Sequence, residues 1–150
     1  MVRRFNINNK DQAGNLLEFL KTEYSPDFFH TENNIRTYIE TEKMLRKFIK
    51  DCKEVWIQEG ETELNGVIVI WTAKGGNVER NYIKLAAKNF EAADALLSVL
   101  VWNSNEQLFT KILKNNYFLN LFYRKGFKFL SGRGKQLLLK RDKFTHRKKR

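Results

Sequence analysis

Leu64-Asn65-Gly66-Val67-Ile68-Val69-Ile70-Trp71-Thr72 is the stretch on which the reading of this chain turns. Its heart is β-branched and almost continuously apolar, with none of the alternation of a half-wet strand, so it reads as a strand covered on both faces. On one side, Gly60-Glu61-Thr62-Glu63 is a polar turn back to a strand at Val55-Trp56-Ile57-Gln58-Glu59. On the other, Lys74-Gly75-Gly76-Asn77 has the composition that closes a hairpin, leading to a third strand over residues 81–87. The acids of the first turn, Glu59, Glu61 and Glu63, read as a solvated hairpin, because Gly60 and Thr62 interrupt them.

Further out, the period changes. Ala93, Leu96, Leu97 and Leu100 recur at helical spacing within 90–101, and 108–113 returns to a strand pattern. Residues 117–123 form a short helix ended at Gly126, which suits a C-terminal cap of positive φ. Strands at 127–130 and 136–140 flank Ser131-Gly132-Arg133-Gly134. Towards the N-terminus, Val2, Phe5 and Ile7 suggest a strand over 2–7. Asn9-Lys10-Asp11 then opens a helix carrying Ala13, Leu16, Leu17, Phe19 and Leu20. Ser25-Pro26-Asp27 breaks that helix. A cap at Thr31-Glu32-Asn33-Asn34 predicts a second helix starting at Ile35 and running through Met44, Leu45, Phe48 and Ile49, with a bend near Glu40-Thr41-Glu42. Phe28, Phe29 and His30 between the two helices read as packing, and Trp71, Tyr82 and Trp102 as core. The order is β-α-α-β-β-β-α-β-α-β-β, an α/β (α+β) chain with one mixed sheet and helices on its faces.

The chain has 150 residues, enough for one domain with a real core, and 42% hydrophobic and 13% aromatic residues argue against global disorder. No apolar run approaches the roughly 20 residues of a membrane span, and the first residues lack a secretion-signal pattern. Cys52 is the only cysteine, so no internal disulfide forms; with only His30 and His146 beside it, a zinc site of ordinary spacing is not expected. A cytoplasmic, metal-free protein is the expectation. Of the net charge of +11, residues 133–150 carry +8, from nine Lys/Arg against Asp142. That leaves +3 for residues 1–132, a nearly balanced main body; the folded domain is expected over 1–141, with a basic tail over 142–150. Lys143, Arg147, Lys148, Lys149 and Arg150 are the candidate nucleic-acid contacts, since a one-signed cluster attracts polyanions. The same run fits a solubilising terminus equally well.

Several residues sharpen a likeness. The hairpin from Val55 to Val69, with Gly66 at the entry of its second strand, the run from Asn115 or Asn116 to Phe122-Tyr123-Arg124-Lys125-Gly126-Phe127, and Leu137-Leu138-Leu139-Lys140 resemble the GNAT superfamily of N-acetyltransferases in order and spacing. The resemblance implies a mixed, mostly antiparallel central sheet and acetyl-CoA as cofactor. It also implies transfer of an acetyl or acyl group to an amine acceptor whose identity the sequence leaves open. The cofactor would lie along the strand ending Leu85-Ala86-Ala87 and the loop from Lys88 into the helix at Ala93, with Asn116 nearby. Backbone N–H groups at such a helix start cradle phosphates. In that alignment Glu91 stands where the family has its first glycine, and no glycine occurs between Gly76 and Gly126. Phe122 stands where the family commonly has a proton-donating tyrosine. Tyr123, one place later, is the candidate acid, and Glu79 or Glu59 the candidate base acting through water. Three readings follow: an acyltransferase, with the tail recruiting an anionic macromolecule such as a nucleic acid or ribonucleoprotein; a non-catalytic module of the same fold binding nucleic acid or a partner through its basic end; and an enzyme of this fold using another acyl donor or modifying a base.

Overall fold

A computed structural model describes residues 1–21, 30–32, 35–37, 41–75 and 77–142. The hairpin predicted from residues 55–87 is the centre of the molecule. β4 (Cys52–Glu59), β5 (Leu64–Gly75) and β6 (Val78–Ala87) form an antiparallel meander, and Val67, Ile68, Val69 and Ile70 are all buried. Consecutive side chains of a strand point to opposite faces, so a run buried throughout needs a layer on each side. α1 (Lys10–Leu20) and α2 (Glu42–Asp51) supply one layer, packing Ala13, Leu16, Leu20 and Leu45 on Val55, Ile57, Val67 and Val69. α3 (Phe90–Trp102) and α4 (Leu119–Arg124) supply the other, placing Leu96, Leu97, Leu100, Leu121 and Phe122 over Ile68, Ile70, Ile83 and Leu85.

β1 (Val2–Arg4) joins β4 at one edge, and β7 (Leu108–Leu113), β9 (Gln136–Arg141) and β8 (Lys128–Arg133) extend the other. The seven-stranded order is β1-β4-β5-β6-β7-β9-β8, antiparallel throughout except for β6 and β7. A separate two-stranded ladder pairs β2 (His30–Glu32) with β3 (Ile35–Thr37). Among the described residues no helix is long and apolar enough to cross a membrane.

Local chemistry explains the joints. Gly66 lies under α3, where a Cβ would meet Leu96 Cδ1 at 2.8 Å and the Ala86 carbonyl oxygen at 3.0 Å. Gly126 ends α4 at φ +96°. Phe127 N–H donates to Phe122 C=O there, closing a Schellman-type cap.

Three expectations are corrected. The second helix does not begin at Ile35: residues 35–37 lie in β3, and α2 starts at Glu42 with Thr41 Oγ1 accepting the Met44 N–H. Both Thr31 and Thr41 have cap chemistry, and β-branched Ile35 and Thr37 favour the extended state. β1 stops at Arg4, because Asn6 accepts from the Asn8 and Asn9 amides and starts the turn into α1. Trp102 is 70% exposed at the last turn of α3 and is not core. The Ser25-Pro26-Asp27 breaker and Phe28 and Phe29 lie outside the described residues.

Candidate functional site

β6 and β7 run parallel but pair only at Asn81↔Leu108 and Tyr82↔Phe109. Past those two pairs a cleft opens between them, lined by Lys84 and Leu85 of β6, by Thr110, Lys111 and Ile112 of β7, and by Asn116, Phe118 and Phe122. The base of the fork is tied by Thr110, whose buried hydroxyl donates to the Ile83 carbonyl at 3.0 Å.

The main chain of β6 is unevenly used. β5 and β6 keep one register from Gly66↔Ala87 to Gly75↔Val78, and Lys88 N–H donates to Asn65 C=O at 2.8 Å. Antiparallel alternation therefore directs the peptide groups of Ala86, Lys84 and Tyr82 to β5, and those of Ala87, Leu85 and Ile83 towards β7. The Thr110 bond to Ile83 agrees with this assignment. Leu85 and Ala87 thus turn N–H and C=O groups into the gap beyond the last β6–β7 pair. An extended ligand bearing amides finds there the half-ladder of a missing strand.

Side-chain alternation makes the two faces of the fork unlike. Towards α3 and α4 stand Leu85, Ile112, Phe118 and Phe122, all buried. Phe122 meets Phe127 edge-on at 5.2 Å, fixing its ring. Towards the α1/α2 face stand Lys84 and Lys111.

At the end of β6, Asn89 caps α3: its Oδ1 accepts from Ala92 N–H at 2.8 Å and its carbonyl from Ala93 N–H. The Phe90 and Glu91 amides remain for an outside acceptor, as the first amides of a helix do. Lys88 reaches Glu63 at 2.8 Å, and the Arg124 guanidinium lies 5.4 Å from the Phe90 ring centroid, so two cations flank this helix start. Glu91 is exposed in the same first turn.

The candidate residues separate accordingly. Leu85 and Asn116 line the cleft, and Lys88 stands at its α3 end. Ala86 is wholly buried against the α1/α2 core; Ala87 packs beside Gly66, and Ala93 is wholly buried on the inner face of α3. Phe122 rather than Tyr123 faces the cleft, and Tyr123 is 40% exposed outside it. Glu79 sits near the β5–β6 hairpin tip beside Lys74, three residues before the fork opens. Glu59 is engaged by Arg3 at the β1 edge. Lys143, Arg147, Lys148, Lys149 and Arg150 lie outside the described residues. Sequence reasoning missed Lys84, Thr110, Lys111 and Arg124. The alternation Arg80-Tyr82-Lys84 and Phe109-Lys111 was the available signal for Lys84 and Lys111.

No protein-family model matches the sequence, and no curated protein matches it significantly. Solved structures do match in shape. A GNAT-family acetyltransferase from Streptococcus pneumoniae superposes with a TM-score of 0.70 at 13% identity, over 94% of this chain and 97% of that one. A ribosomal-protein-alanine N-acetyltransferase from Brucella melitensis gives 0.69 at 11% identity, over 95% and 99%. The PaiA N-acetyltransferase from Thermoplasma acidophilum, solved with coenzyme A, gives 0.60 at 15% identity, over 95% and 98%.

Proposed function

We propose that this domain, which has the fold of the GNAT N-acetyltransferases, moves an acyl group from an acyl-CoA, with acetyl-CoA as the reference donor, to an amine. The observation that carries the reading is the β6–β7 fork, with the peptide groups of Leu85 and Ala87 turned into it. It occurs in a fold shared with a structure that contains coenzyme A.

The residues present suit such a donor. Leu85 and Ala87 offer main-chain donors and acceptors to the amide-bearing arm of coenzyme A. Lys88, Arg124 and the first amides of α3 offer positive charge to its phosphates. Glu91 opposes this, but it is exposed, and water and salt weaken its field. Bound there, the donor supplies an activated thioester carbonyl. The chain contributes position, an N–H of β6 to polarise that carbonyl, and an apolar wall of Leu85, Ile112, Phe118 and Phe122 that thins the water around it. Phe122 has no proton to give. The attacking nitrogen loses one proton as the new C–N bond forms, and the departing sulfur gains one as the C–S bond breaks. On this reading water carries the proton, since Tyr123 is exposed outside the cleft and Glu79 lies beside Lys74 near the hairpin tip.

The test is thermal. A ligand that binds only the folded state at 100 times its dissociation constant stabilises it by about 2.7 kcal/mol. For a chain of this size that is a rise of several degrees in Tm. Absence of any rise with millimolar acetyl-CoA overturns the reading.

The unevenly placed charge supports a second proposal: that the body ends at residue 141 and the tail from 142 onward carries the chain to an anionic macromolecule, nucleic acid first. Removing residues 143–150 then weakens binding to RNA or DNA and flattens its salt dependence. Unchanged affinity excludes the tail as the contact.

A further inference from the structure

The fork has a second face, and its chemistry is unlike the first. Trp71, Tyr82 and Phe109 lie side by side across β5, β6 and β7, with ring centroids 5.2 Å apart between Trp71 and Tyr82 and 5.8 Å between Tyr82 and Phe109. Cations sit on this row: Lys84 Nζ lies 5.9 Å from the Trp71 centroid, Lys111 Nζ 5.4 Å from that of Tyr82, and Arg80 Cζ 4.6 Å from that of Phe109. Cation–π contact of this kind keeps long side chains along the sheet and in place. The β6 and β7 positions on this face read Arg80, Tyr82, Lys84 and Phe109, Lys111, with no Asp or Glu among them. At the end of the next strand, Asp142 is already held by Lys140 at 3.3 Å and Gln107 at 3.1 Å.

Lys84 and Lys111 also line the cleft. On the acyltransferase reading, on which this inference rests, the donor's phosphates are held at the α3 end, and its arm lies against the apolar α3/α4 wall. The attacking amine then arrives over the opposite face, through the cations. A positive field there repels an ammonium group and attracts an anion.

We propose that the acceptor is an amine carrying its own anionic group, a carboxylate or a phosphate, which Lys111 and Arg80 receive while the nitrogen reaches the fork. Polyamines and simple alkylamines are disfavoured by the same charges.

Acceptor pairs with and without an anionic group test this, with release of the coenzyme A thiol as the readout. β-Alanine against β-alaninamide reports a carboxylate, phosphoethanolamine against ethanolamine a phosphate, and spermidine the opposite charge. At least one anionic member is expected to exceed its neutral partner about tenfold in kcat/KM, and the pair that does so names the anion. Lys111→Gln and Arg80→Gln should raise the KM of that anionic acceptor and compress the ratio within its pair, whereas Lys111→Arg should preserve it. Melting curves with acetyl-CoA confirm that each variant is folded. If acetyl-CoA raises Tm and thiol is released, but neutral amines or spermidine serve as well as the anionic ones, the acceptor proposal falls and the acyltransferase reading stands. If acetyl-CoA raises Tm in no variant and thiol is released with no amine, both fall.

Discussion

Glu91 puts a carboxylate in the first turn of α3, where it favours the helix by facing the positive end of the dipole and disfavours any anion brought to the same amides. Exposed charges near a helix end are worth about 0.3–1 kcal/mol, so Glu91→Gln should tighten acyl-CoA by about two- to fivefold at low salt, with the gain shrinking as salt rises. Calorimetric titration at two ionic strengths checks this; equal affinities at low salt would show that the carboxylate points away from the phosphates. Cys52 offers a second residue-scale prediction. Burial, aided by the nearby charge of Asp51, pushes its thiol up to about 12. An unfolded cysteine ionises near 8.5, so the unfolded chain binds fewer protons than the native one above that pH. The contribution of the neutral thiol to stability is therefore complete below about 8.5 and declines as pH rises towards 12. Denaturant midpoints should fall over that window by less in Cys52→Ala than in the parent chain. Alkylation of Cys52 at pH 8 should also be far slower in the native state than in urea.

At the scale of elements, Gly66 marks a tight joint between the sheet and α3. A methyl group there has Leu96 Cδ1 at 2.8 Å and the fixed Ala86 carbonyl at 3.0 Å, and only the first can swing aside. Gly66→Ala is expected to cost about 1–3 kcal/mol as overpacking, read as a lower urea midpoint at unchanged slope; an unchanged midpoint would mean that α3 can lift from the sheet. This joint was legible in the sequence as a glycine opening a β-branched strand. β5, α3 and β7 were equally legible, since each has one period and clear stops. The start of α2 was not. Thr31 and Thr41 offer the same cap, and only pairing between His30–Glu32 and Ile35–Thr37 separates them. The period of a sequence shows which face a residue takes, but not what covers that face, and so Trp102 was assigned to a core whose last buried α3 residue is Leu100.

For the molecule as a whole, the site depends on two strands distant in sequence that pair for two residues and then part. Nothing local to either strand announces that divergence. This is why resemblance could suggest residues along β6, whereas the cations of the other face had no such guide. The fork is tied by Thr110, and Thr110→Val should leave the buried Ile83 carbonyl without its donor, costing about 1–3 kcal/mol, while Thr110→Ser should retain most of the bond. Hydrogen exchange at β6 and β7 would report the loosening, and equal protection in both variants would show the hydroxyl to be dispensable. The fork also bears on how far sequence and shape can part. Where a strand offers its peptide groups to a ligand, the side chains alternating along it are released from the task of recognition, and at Leu85 and Ala87 only proline removes the N–H itself. Such an arrangement lets shape persist while side chains vary, and this chain superposes over nearly its full length on proteins with which it shares about one residue in eight.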